Sequence, residues 1–178
     1  MILDALLQFS NAQNLAQIAG TYASTNQIDL HMAGIPTLAN LQGARDIGIG
    51  DDPALKLLVQ VVTAFTSTGA ATLVVALQGA TDDGTGAAST FSTWWASPAY
   101  ALATIAVAGA RLLDMDMPRP PAGIAVPRFL RLLYTVGAQT TTAGTVSSYI
   151  VLDRMDQMYS STGNAVMGGY PAGINVAN

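Results

Sequence analysis

Hydrophobic and polar positions alternate most regularly in "LKLLVQVVTAF" (Leu55–Phe65). Leu55, Leu57, Val59, Val61 and Phe65 fall on one face, with Lys56, Gln60 and Ala64 on the other. A period of two is the mark of a half-buried strand. "TSTGA" (Thr66–Ala70) then predicts a turn and "ATLVVALQG" (Ala71–Gly79) a returning strand, together a hairpin. "PRFLRLLYTVG" (Pro127–Gly137) repeats the pattern, with Leu130, Leu132, Tyr134 and Val136 on one face. "TVSSYIVLD" (Thr145–Asp153) does so through Val146, Ser148, Ile150 and Leu152. "TFSTWWAS" (Thr90–Ser97), "AVAGARLLDMDM" (Ala106–Met117) and, more weakly, "NQIDLHM" (Asn26–Met32) predict three further strands.

Short strands about ten residues apart, separated by glycine-rich turns, predict an all-β fold: a jelly roll or antiparallel β-sandwich. The expected organisation is an amino-terminal arm or first strand over 1–23, a jelly-roll domain over 24–153 and an extended carboxy-terminal tail over 154–178. "DALLQF" near the amino end also suits a short helix capped by Asp4. The tail, with "GNAVMGGYPAGINVAN", has no period but is too apolar for a solvated disordered segment.

Composition strengthens the β reading. All 11 acids are Asp, and six Arg and a single Lys make up the 7 bases. Glu and Lys, the residues that clothe exposed helices, are nearly absent. Hydrophobic residues make up 51% and charged ones 10%, low for a soluble domain, so part of the apolar excess is expected in interfaces with other chains. A net charge of −4 without a basic cluster argues against nucleic acid. With no cysteine, disulfides and thiolate chemistry are excluded.

Uncharged runs lie between Lys56 and Asp82 and between Asp83 and Arg111. Each exceeds the roughly 20 residues of a spanning helix, but "TSTGA" breaks the first, and "GTGAAST" and Pro98 break the second. No membrane partner is expected. Asp4 stands where a signal peptide carries positive charge, so the chain is expected to be made in the cytoplasm.

Candidate chemistry is sparse. "ARDIGIGDDP" (Ala44–Pro53) carries a Gly-x-Gly, but the third glycine of a dinucleotide fingerprint is missing and two acids would repel phosphate. It is read as a turn. "DDG" (Asp82–Gly84) and "DMD" (Asp114–Asp116) offer too few carboxylates for calcium unless a subunit contact completes the set. His31 is the single histidine, and no Gly-x-Ser-x-Gly elbow accompanies it. No enzyme, cofactor or metal is expected. In "TWW" (Thr93–Trp95), alternation predicts one tryptophan in the core and one facing outward. The outward ring, near Tyr100, suits a protein interface or, as an alternative function, a carbohydrate-binding module for host-surface attachment.

Several segments together resemble the jelly-roll capsid cement (decoration) proteins of tailed bacteriophages, of the Bordetella-phage type. They are "FSNAQ" (Phe9–Gln13), "STNQIDL" (Ser24–Leu30), "ARDIGIGDDP", "VVTAFTSTGAATLVVALQ" (Val61–Gln78), "RFLRLLYTVG" (Arg128–Gly137) and "TTAGTVSSYIVLD" (Thr141–Asp153). They run in family order over most of residues 1–153, while "HMAGIPTLANLQG" (His31–Gly43) and the tail depart from the pattern. The resemblance implies a non-enzymatic virion protein, a homo-oligomer (dimer or trimer) on the outer surface of the capsid. Its partner would be the major capsid protein, whose neighbouring subunits it cements. Apolar residues available for such contacts are Leu6, Leu7 and Phe9, the pair Trp94 and Trp95, and Met167 and Tyr170 in the tail.

Overall fold

The alternating runs become ten strands in a computed structural model that describes residues 7–30, 55–119, 121–123 and 127–152. In chain order they are β1 (Gln8–Asn14), β2 (Gly20–Ala23), β3 (Ile28–Asp29), β4 (Leu55–Ser67), β5 (Thr72–Ala80), β6 (Ser92–Ala96), β7 (Tyr100–Ala101), β8 (Arg111–Asp116), β9 (Phe129–Gly137) and β10 (Thr141–Leu152). One helical turn, α1 (Leu102–Ile105), interrupts them.

Two antiparallel sheets face one another. One has the order β1-β10-β4-β8 and the other β2-β9-β5-β6, with β3 added beside β9 and β7 beside β5. Leaving aside the two-residue strands β3 and β7, the sheets read first-eighth-third-sixth and second-seventh-fourth-fifth. This interleaving of early and late strands is the jelly roll. The expected all-β sandwich is the fold of the chain.

The inward faces are those the alternation marked. Leu57, Val59, Val61 and Phe65 of β4 are buried, as are Leu73, Val75 and Leu77 of β5, Leu130, Leu132, Tyr134 and Val136 of β9, and Val146 and Ile150 of β10. The pairs Leu73↔Val136, Val75↔Tyr134 and Leu77↔Leu132 put β5 and β9 in matching register. Ile105 of α1 is also buried in this core.

Three sequence expectations need revision. Residues 8–14 and 20–23 are strands of the two sheets, so here the chain takes the strand alternative rather than the arm. The strand read over Ala106–Met117 begins only at Arg111, because the chain first closes α1 (Ala106 N–H to Leu102 O, 2.8 Å) and turns through Gly109 at φ +82°. β10 starts at Thr141, four residues early, with register shifts against β4 between Thr141 and Val146. Those bulges break the period that would have announced it.

Candidate functional site

Hairpin geometry fixes the two poles of the sandwich. The β4–β5 turn and the β9–β10 turn lie at one pole. At the opposite pole β4 and β9 begin and β5 and β10 end, with Leu55 of β4 paired to Leu152 of β10. Met117 donates its N–H to Leu55 O there (2.8 Å), Leu30 to Arg128 O (2.8 Å) and Arg128 to Ala80 O (3.0 Å). Leu30, Leu55 and Leu152, the described residues next to 31–54 and 153–178, therefore all lie at this pole. Leu6, Met167, Tyr170 and His31, and the stretch Ala44–Pro53, lie outside the described residues.

The pole is held by an ion cluster. Arg128 donates from Nε to Asp29 Oδ1 and from Nη2 to Asp29 Oδ2, both at 2.9 Å, and from Nη1 to Asp82 Oδ2. Its guanidinium also lies 4.7 Å from the Phe129 ring centroid. Asp82 accepts the N–H groups of Gly84 (2.7 Å) and Gly86 (3.0 Å), which hold its carboxyl below the usual aspartate value, with Arg128 adding to the effect. Asp83 is lowered likewise, first by the Thr85 hydroxyl and then by the Thr85 N–H, both at 2.7 Å. The acids of "DDG" thus serve as acceptors for their own loop and for Arg128. At "DMD", Lys56 pairs with Asp116 at 2.9 Å and Arg111 with Asp114 at 3.7 Å. Among the described residues no three potential metal ligands cluster.

The tryptophans depart from alternation. Leu77 of β5 pairs with Trp95 and Gln78 with Thr93, a register shift that leaves Trp94 as the extra residue of a bulge. Both rings then turn inward, half-buried against the core. Trp94 lies over Gly79 so closely that an added Cβ would come within 2.1 Å of the ring. The expected outward tryptophan does not exist. Tyr100 does not stand beside these rings as an open platform either. Its hydroxyl donates to Leu112 O at 2.6 Å, and burial pushes the phenol up.

Two of the expected contact residues are also turned inward. Phe9 is 0% exposed and forms part of the core, and Leu7 packs half-buried against it. Exposed apolar side chains lie elsewhere, at Ile18 (69%), Val107 (56%) and Val62 (45%). Ile18 and Val107 are single apolar residues in loops, which carry no periodic signal, and Val62 is an exposed position within β4.

The outer face of the β2-β9-β5-β6 sheet is broad and nearly uncharged. Thr21 and Val74 flank Thr135, and Ala23 and Ala76 flank Leu133. Of its charged members, Asp29 on the added β3 is paired with Arg128, and Arg131 is held at one end by Gln78 Oε1 (2.8 Å) and by the Phe91 ring, 3.9 Å from the guanidinium carbon. No helix among the described residues is long and apolar enough to cross a membrane.

No curated protein matches the chain. A family model described as Bbp16 matches residues 9–150, from the second residue of β1 almost to the end of β10.

Proposed function

The chain belongs to the Bbp16 family, which is phage-related, and on that premise we propose that it is a structural, non-enzymatic virion protein. It binds the outer surface of the icosahedral capsid and cements neighbouring major capsid protein subunits. The observation that supports this reading is the broad, nearly uncharged outer face of the β2-β9-β5-β6 sheet, where Thr21 and Val74 flank Thr135, and Ala23 and Ala76 flank Leu133.

The remaining features suit that role. The uncharged face around Leu133, Thr135, Val74 and Ala76 can be desolvated without stranding a charge. Stable interfaces bury roughly 1,200–2,000 Å² in total, and a shell repeats each joint many times, so modest contacts accumulate. The net charge of −4 keeps the free protein dispersed before assembly. We extend the proposal to self-association on the shell, as a dimer or trimer.

The test is co-expression with the major capsid protein of the same phage, followed by sedimentation of the heads. A fixed copy number per shell and a raised shell melting temperature are expected. A chain that stays in the supernatant and leaves shell stability unchanged overturns the reading.

A further inference from the structure

A cleft of about 120 Å³ opens beside the loop that follows β5. One side is the Trp94 ring, over Gly79; the remainder is lined by Thr81, Ser89, Thr90 and Ser92 and by Pro127. The lining holds four hydroxyl groups and no charged side chain. The indole Nε1–H of Trp94 is buried and has no acceptor among the described residues. A buried donor without an acceptor is rare in folded proteins.

The walls are built rather than incidental. The loop is closed by the Asp82↔Ala88 bridge, by Ser89 N–H to Thr81 O (2.9 Å) and by Asp83 N–H to Ala87 O (3.0 Å). Thr81 and Ser89 share a hydroxyl–hydroxyl hydrogen bond at 3.0 Å. On the other side, Arg128 anchors Pro127 through its N–H to Ala80 O and ties Asp82 to Asp29. These bonds hold the cleft in one shape before any ligand arrives, which lowers the ordering cost of binding.

We propose that this cleft binds an uncharged saccharide residue, independently of capsid attachment. The chemistry selects that class. The four lining hydroxyls suit a polyol, and the indole of Trp94 suits the apolar C–H face of a sugar. The lack of lining charge gives a phosphate or a carboxylate nothing to pair with. A small open cleft with few polar anchors implies weak, millimolar binding by each copy, which a shell carrying many copies multiplies.

The test uses the ¹⁵N-labelled full chain, whose two tryptophans give two indole N–H resonances. Trp94→Phe assigns them, or contacts to Gly79 do so if that variant folds poorly. Glucose, galactose, mannose and N-acetylglucosamine are each titrated to ~100 mM, far above a 1 mM dissociation constant. The expected result is a saturable downfield shift of the Trp94 indole with at least one sugar while Trp95 stays put. The double variant Thr90→Val/Ser92→Ala changes two exposed positions and is expected to weaken that binding about threefold or more with the melting temperature unchanged. No saturable shift with any of the four sugars overturns the proposal. So does an equal shift with glycerol, or full binding by the double variant.

Discussion

The Tyr134 and Ser148 hydroxyls share a 2.7 Å hydrogen bond that joins β9 of one sheet to β10 of the other through the middle of the sandwich. Ser10 of β1 completes the link, 2.9 Å from Tyr134 Oη and donating to Gln13 Oε1 at 2.7 Å. Burial pushes the Tyr134 phenol up from 10.0 to about 12. In this acid the folded state favours the neutral form. Its contribution is therefore complete below pH 10 and is lost as pH rises from 10 to about 12. A shift of this size corresponds to about 2–3 kcal/mol. Denaturation midpoints measured at pH 9 and pH 12 are expected to differ accordingly. Tyr134→Phe should be less stable at pH 9 by about 1–3 kcal/mol, because Ser10 and Ser148 lose a buried partner, and should show a flatter alkaline profile. An unchanged alkaline slope in that variant would remove Tyr134 from the account.

Gly144 faces Phe65 across the β10–β4 bulge. Its φ is +138°, and an added Cβ would meet the Phe65 ring at 2.3 Å. Backbone strain and overpacking of the core then act together at one position. Gly144→Ala is expected to cost at least about 2 kcal/mol, read as a shift in urea midpoint. A variant within ~0.5 kcal/mol of the parent would mean that β10 repacks freely here.

Arg128 ties together the pole at which β4 and β9 begin, bound to Asp29 of β3 and to Asp82 of the loop. Replacing it by Gln leaves two carboxylates facing each other across a smaller neutral amide. Hydrogen exchange at Gly84, Thr85 and Gly86 is expected to quicken by ~tenfold while the core strands keep their protection. Acid gives the same effect by another route. The Asp82 and Asp83 carboxyls are lowered, so their contribution is present above 3.8 and disappears as pH falls below that value. The loop should therefore loosen on acidification below pH 3.8 before the sheets part. Unchanged exchange in Arg128→Gln would show that the Asp82↔Ala88 bridge and the Asx turns suffice alone.

The strands legible in the sequence are those whose two faces meet different surroundings. β4 and β9 alternate because one side meets core and the other does not, and their inward residues could be named from the period alone. β1 could not. Ser10 and Gln13 are polar yet belong to the inter-sheet link, and Ala12, at φ +47°, inserts a bulge between them. The Trp94–Trp95 pair misled for the same reason, since a bulge is a residue-level event that alternation cannot foresee. The "DDG" turn was legible as a turn, but its partner was not. Arg128 is 46 residues from Asp82 and 99 from Asp29, and only the sheet order brings them together. The cleft escaped notice because it needs that loop, the bulge and Pro127 at once.

Truncation separates the fold from the proposed docking. Phe9 is wholly buried and Ser10 belongs to the inter-sheet link, so removing 1–11 takes away a core aromatic and half of the clasp. Loss of a buried Phe alone costs about 3–5 kcal/mol, against total stabilities of about 5–15 kcal/mol. That chain is expected to unfold or aggregate, so its failure to bind a head would say nothing about docking. Removing 154–178 spares every strand of the described residues, since β10 ends at Leu152. It is expected to shift the melting temperature by no more than ~4 °C while weakening co-sedimentation with heads at least ~tenfold. A truncated chain that keeps its melting temperature and still binds heads fully would move the docking function from residues 154–178 to the sheet face around Leu133 and Val74.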